Sequence, residues 1–227
     1  MIHWFFEWGW LYLMIIMSVI LTVQLICHWK DWDTTRKLGA FTVIVLTFHV
    51  WEEWVIPGGF HYYYNIASEP ELRDRYPMNL ITDMITNFGG AVLWFVLVQL
   101  NRYRRKMSFA VMVFSFAEVA IHLLGAASSR QMILEAGQYS PMYGPGMATA
   151  LVCWLPLGIA YIVYFVKTGL HWRDAVSGIL ILMCLSVLLI NIPESLLKDE
   201  DTPYRYANAG WYEQFIDDTG ELINLSR

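Results

Sequence analysis

Residues 38–56 read LGAFTVIVLTFHVWEEWVI, an apolar run into which His49, Glu52 and Glu53 are set. As a helix these 19 positions extend about 28 Å, enough to cross the hydrocarbon of a bilayer. The three ionisable groups fall at i, i+3 and i+4, within an arc of roughly 100° on one face. Side chains of this kind are costly at membrane depth and normally face a bundle interior or a cavity, so the run reads as a span that carries a site.

Working outward, similar runs occur at 9–27, 79–100, 107–125, 147–166 and 175–192. Together with 38–56 they predict an all-α polytopic bundle of about six transmembrane helices over residues 1–194, followed by a tail at 195–227. The composition agrees: 57% of the 227 residues are hydrophobic, 16% aromatic and 15% charged, against about 25% charged in soluble domains. A soluble enzyme is excluded. With 15 Lys and Arg against 20 Asp and Glu, no general basic surface exists for nucleic acid. Cys27, Cys153 and Cys184 lie in apolar runs and read as membrane-buried thiols. The first run lacks a basic flank and a cleavage site, so it is expected to be retained rather than removed as a signal peptide. Trp4, Trp8 and Trp10 at one end of it and Trp29 and Trp32 at the other suggest interfacial belts.

Cytoplasmic loops retain positive charge. Connections 1–2, 3–4 and 5–6 hold Lys30, Arg36, Lys37, Arg102, Arg104, Arg105, Lys106, Lys167 and Arg173, whereas the other side has Arg73, Arg75, Arg130 and three tail residues. A multi-pass cell-membrane protein with both termini outside is expected. The outer side then holds loops 57–78 and 126–146 and the end of the chain from Pro193 to Arg227, whose eight acids and three bases account for the net charge of −5. The tail reads either as a solvated acidic segment or as a short amphipathic piece packed over the outer mouth. Tyr62, Tyr63 and Tyr64 read as interfacial anchors.

Within the spans the charged residues are Glu52, Glu53, Asp83 and Glu118, with no Lys or Arg among them. Asp83 and Asn87 are spaced i, i+4, as are Glu118 and His122, so each helix presents one polar face. The topology brings all these groups into the outer half of the bilayer. Four acids without a basic partner require protons, imidazolium, a metal cation or arginines reaching in from loops. A divalent transition metal (Zn, Mn or Fe) suits the mixture, with His49 and His122 supplying nitrogens and Glu52 or Glu53, Glu118 and Asp83 supplying oxygens. The leading assignment places His49, Glu52, Glu118 and His122 on the metal, Glu53 and Asp83 as bases, and Asn87 and Trp154 at the substrate. The partner is then a lipid or other apolar small molecule within the bilayer. Two alternatives stand beside it: a metal-free acid/base isomerase-like enzyme, and a proton-coupled binding or transport protein.

The pattern His49-Val50-Trp51-Glu52-Glu53 inside a membrane helix resembles the HXXEE-domain family of small multi-span membrane proteins. That resemblance implies architecture over roughly spans 2 to 5 and leaves the chemistry open. A weaker similarity is to the emopamil-binding, sterol-isomerase type of membrane protein. It rests on His49 and Glu53 late in one helix, Asp83 early in the next, and Trp154 close to Pro156. It implies a proton shuttled around an apolar ring substrate.

Overall fold

The structure, a computed structural model, describes residues 2–225. Met1 and the last two residues of the expected tail, Ser226 and Arg227, lie outside the described residues. The described chain is all-α. Its helices are α1 (Ile2–Cys27), α2 (Thr34–Trp54), the short α3 (Phe60–Ile66), α4 (Leu80–Gln99), α5 (Arg105–Glu135), α6 (Met147–Thr168) and α7 (Trp172–Leu197). Five of them, α1, α4, α5, α6 and α7, are long and apolar enough to cross a membrane.

The remaining long helix, α2, has 21 residues and a length of about 31 Å, but it carries Arg36, Lys37, His49, Glu52 and Glu53. Its position explains why that is tolerated. Its buried residues, from Leu38 and Ala40 through Val43 and Leu46 to Val50 and Glu53, include the ionisable His49, Glu52 and Glu53, while Phe41 and Phe48 of another face are exposed. The polar groups thus face the bundle interior and the face left open is apolar. Its hydroxyls are satisfied locally or across the bundle: Thr42 donates to the Leu38 carbonyl and meets Tyr161, and Ser18 of α1 donates to Thr47 at 2.7 Å.

α1 lies against α2 through Leu11, Met14, Ser18, Leu21 and Leu25, a stripe at alternating steps of three and four. Trp10 and Trp32 are only 1% and 7% exposed. They therefore belong to the core, while Trp4 and Trp29 face outward; the expected belts hold for part of their members. Gln24 and Gln99 exchange reciprocal amide hydrogen bonds at 3.1 and 2.7 Å and tie α1 to α4. The three cysteines are free, and Cys27 and Cys184 face out of the bundle.

α5 continues ten residues beyond the expected end of its span, because a helix need not stop where the apolar run does. α6 and α7 contain π-turns at Ala150–Trp154 and Val187–Asn191, each just before a proline, Pro156 and Pro193. Proline has no N–H and clashes with the carbonyl four residues back, and a π-turn accommodates both. At Pro193 that carbonyl is Leu189, and it accepts instead from Thr86 Oγ1 of α4 at 2.7 Å.

The tail does not leave the bundle. Tyr212 and Phe215 pack with Tyr62 and Ile133 into a second apolar cluster. Trp211 N donates to Gly58 O and Leu80 N to Tyr204 O. His3 Nε2 lies 3.3 Å from the Pro203 carbonyl, so both ends of the described chain meet at this end of the bundle. The tyrosines expected as membrane anchors hold these pieces together: Tyr62 donates to Gly220 O and Tyr64 to the Glu194 carboxylate.

Candidate metal centre

α2 and α5 bring four side chains to one point near the tail end of the bundle. His49 Nε2 lies 3.1 Å from Glu118 Oε2 and 3.6 Å from Glu53 Oε1. His122 Nε2 lies 3.3 Å from each of the same two oxygens. The spacing i, i+4 places His49 one turn before Glu53 on α2 and Glu118 one turn before His122 on α5, so the two pairs facing each other close a four-membered ring of side-chain atoms. Three of the side chains are nearly sealed, and Glu118 is 14% exposed. The group His49, Glu53 and His122 has the spacing of metal ligands.

The far nitrogen of each imidazole is also held. His122 Nδ1 is 2.9 Å from the Pro145 carbonyl. A carbonyl only accepts, so Nδ1 carries a proton, and Nε2 faces the two carboxylates either as the lone pair of a neutral ring or as the second N–H of an imidazolium. His49 Nδ1 is 2.9 Å from Thr149 Oγ1. Thr149 in turn donates to Glu52 Oε2 at 2.5 Å. An ionised carboxylate only accepts, so the single hydroxyl proton is committed to Glu52 and Thr149 accepts from His49 Nδ1–H. In the neutral ring this again leaves the lone pair on Nε2. Fixing a histidine ligand through its second nitrogen is the usual way a metal site sets tautomer and ring orientation.

Glu52 does not face the cluster. Its carboxylate accepts from Tyr143 Oη at 2.8 Å, Ala148 N at 3.0 Å, Thr149 N at 2.6 Å and Thr149 Oγ1. The two backbone donors are free N–H groups of the first turn of α6, where a negative charge is favoured. Burial and then the Glu52 carboxylate hold the Tyr143 phenol above its usual range. The placement of Glu52 on a metal, expected from sequence, therefore does not fit this geometry, and Glu53, expected as a base, is the acid of α2 that stands with His49 and His122 in a group that could hold a metal ion.

Gly146 adjoins the site at φ +87°, and a Cβ there would stand 2.3 Å from His122 Cε1. Only glycine combines that backbone with that approach. Pro145, Gly146 and Thr149 carry no ionisable group and follow no recognisable pattern, so the sequence reading passed over them.

The remaining expected residues surround the cluster. Asp83 is 2% exposed, and Asn87 Nδ2 donates to its Oδ1 at 2.6 Å. Trp154, fully buried, meets His49 edge to face with centroids 5.9 Å apart. Asn87 and Trp154 both line a cavity of about 280 Å³ that reaches His49, Glu53, Glu118 and His122. Asn79, one turn before Asp83, caps α4 instead, accepting from Ile81 N and Thr82 N. From the tail, Tyr206 comes over the site. Burial and then the charges of Asp83, Glu194 and Glu53 hold its phenol well above the usual range.

A model of proteins of unknown function with an HXXEE motif matches residues 40–161. No curated protein and no solved structure matches the chain, and the similarity to sterol isomerases gains no support from these comparisons. The matched segment runs from α2 into α6 and includes His49, Glu53, Glu118 and His122 together with Pro145, Gly146 and Thr149. It covers 122 of the 227 residues, more than half of the chain, and on that extent the chain belongs to the HXXEE family.

Proposed function

We propose that His49, Glu53, Glu118 and His122 bind one divalent transition metal, and that the protein is a membrane enzyme acting on a lipid or apolar substrate. One observation carries the reading. With both Nδ1 atoms held elsewhere, each imidazole turns its Nε2 to the same two carboxylate oxygens, at 3.1–3.6 Å. With neutral rings, four electron-rich atoms so placed repel one another, and a metal cation between them relieves that repulsion as imidazole protons do in its absence. Metal–ligand bonds of 2.0–2.1 Å in a tetrahedron give ligand separations of about 3.3 Å, which favours zinc over the larger octahedral ions. Two carboxylates and a divalent ion sum to zero charge, which lowers the cost of burial.

Such an ion polarises a substrate oxygen or makes bound water acidic. Asp83 interacts electrostatically with Glu53 but is bonded to no histidine. We assign it the proton transfer that Glu53 no longer serves. We place the tail end of the bundle outside the cell, following the Lys and Arg distribution.

The test is metal analysis of protein purified in mild detergent without added chelator. About one equivalent of zinc, manganese or iron is expected, retained in Asp83→Asn and lost in His49→Ala and His122→Ala. Folded wild-type protein that stays metal-free after incubation with each of these ions would overturn the proposal and favour the acid/base reading, in which protons hold the same four atoms together.

A further inference from the structure

The cavity beside the cluster has a chemistry of its own. Its wall is mainly apolar, with Leu46, Trp94, Val111, Phe114, Leu185 and Leu189 among its residues, and no Lys or Arg lines it. Two indole N–H groups, of Trp54 and Trp154, belong to lining residues and find no acceptor among the described residues. Buried donors in that state call for an acceptor atom on whatever enters. Asn87 gives its amide N–H to Asp83, which leaves its carbonyl oxygen for the cavity. A charge argument narrows the ligand further. The cluster with its metal is neutral and Asp83 adds only negative charge, so a phosphate or carboxylate headgroup would enter without a counter-charge.

The way in is lateral. Toward the far end of the bundle α7 lies tight on α5, where a Cβ on Gly178 would come within 2.9 Å of Phe109 Cβ. Toward the tail end α7 turns instead onto α4, with Leu189 over Gly89 and its carbonyl on Thr86. α5 and α7 therefore diverge beside the cluster. Ile121 of α5 lines the cavity and is 53% exposed, on the lipid-facing side of an apolar helix. At the roughly 30 Å³ that a water occupies, 280 Å³ holds about nine or ten non-hydrogen atoms, which is less than a membrane lipid.

We infer that the site takes an uncharged long-chain lipid bearing a hydroxyl or carbonyl oxygen, drawn sideways from the bilayer between α5 and α7, with the oxygen at the cluster and the remaining chain left in the membrane. The inference rests on the metal reading for the neutrality of the site.

The experiment uses the full chain in phosphatidylcholine vesicles with three diazirine probes of equal length: a C16 alcohol, the corresponding fatty acid and the corresponding amine. The alcohol is expected to label peptides containing Ile121 or Leu185 at least fivefold more than the acid or the amine, and excess unlabelled hexadecanol should compete. Ile121→Trp and, separately, Leu185→Trp should each reduce that labelling severalfold while metal content stays at wild-type level. Equal labelling by the three probes, preference for a charged probe, or labelling unchanged in both variants would overturn the inference while the metal stands. Absence of metal in the same vesicles would overturn the metal reading, whichever probe labels.

Discussion

Glu52 and Glu53 are neighbours in sequence, yet their carboxylates serve different helices: Glu53 faces both histidines, and Glu52 caps the start of α6. Successive side chains on a helix diverge by about 100°, and each direction meets a different partner. The paired acids of the motif thus divide into one that faces the two histidines and one that is joined to His49 through Thr149.

Glu52→Gln keeps the shape of the side chain but removes the charge and one acceptor. Metal affinity should fall about 10- to 100-fold, the usual effect of disturbing groups behind a ligand. Glu52→Ala should cost in addition about 1–3 kcal/mol of stability, because the Ala148 and Thr149 N–H groups lose their acceptor. Metal titration and thermal unfolding in detergent separate the two effects.

Gly146→Ala places a methyl group against the His122 ring at a positive φ. Bound metal should be lost together with thermal stability. Full metal occupancy in this variant would show that His122 can shift without consequence and that its contact with Pro145 does not orient it.

Thr86→Val removes the hydroxyl that serves the Leu189 carbonyl left free by Pro193. A loss of about 1–2 kcal/mol is expected. Thr86→Ser should restore most of it, as read by the unfolding midpoint of the two variants side by side.

Acid should loosen the tail. His61 is 4% exposed and stacks on Tyr206 with centroids 3.7 Å apart, beside Trp54. Burial pushes the imidazole down from 6.5 to about 3. The packed ring is therefore neutral over a range in which the released ring takes a proton. Packing is fully stable above pH 6.5 and loses about 1.4 kcal/mol per pH unit as pH falls from there toward 3. Protease sensitivity of the tail should rise between pH 7 and pH 4.5 in wild type and change little in His61→Phe.

The helices were legible in the sequence because a membrane span is announced by its own composition. The convergence of His49, Glu53, Glu118 and His122 was legible too, since buried ionisable groups have few places to go. The division between Glu52 and Glu53 was not, because both lie in one 100° arc and the difference is made by α6, about a hundred positions later. Nor was the end of α5: Ser128, Ser129 and Arg130 are compatible with a helix that has left the membrane, and hydropathy is silent there. The roles of Pro145 and Thr149 depend on a carbonyl and a hydroxyl that any loop or helix start possesses.

The π-turn of α6 has a geometric consequence for His49. Thr149 and Trp154 are five residues apart, and in a regular α-helix they would point about 140° away from each other. A turn closed by i→i+5 bonds brings such positions nearly into line. Thr149 can then hold the edge of the His49 ring while Trp154 packs on the same ring. The turn absorbs the extra residue and lets one helix grip a single imidazole at two points, whereas the same residues wound as a regular α-helix would turn Thr149 and Trp154 apart.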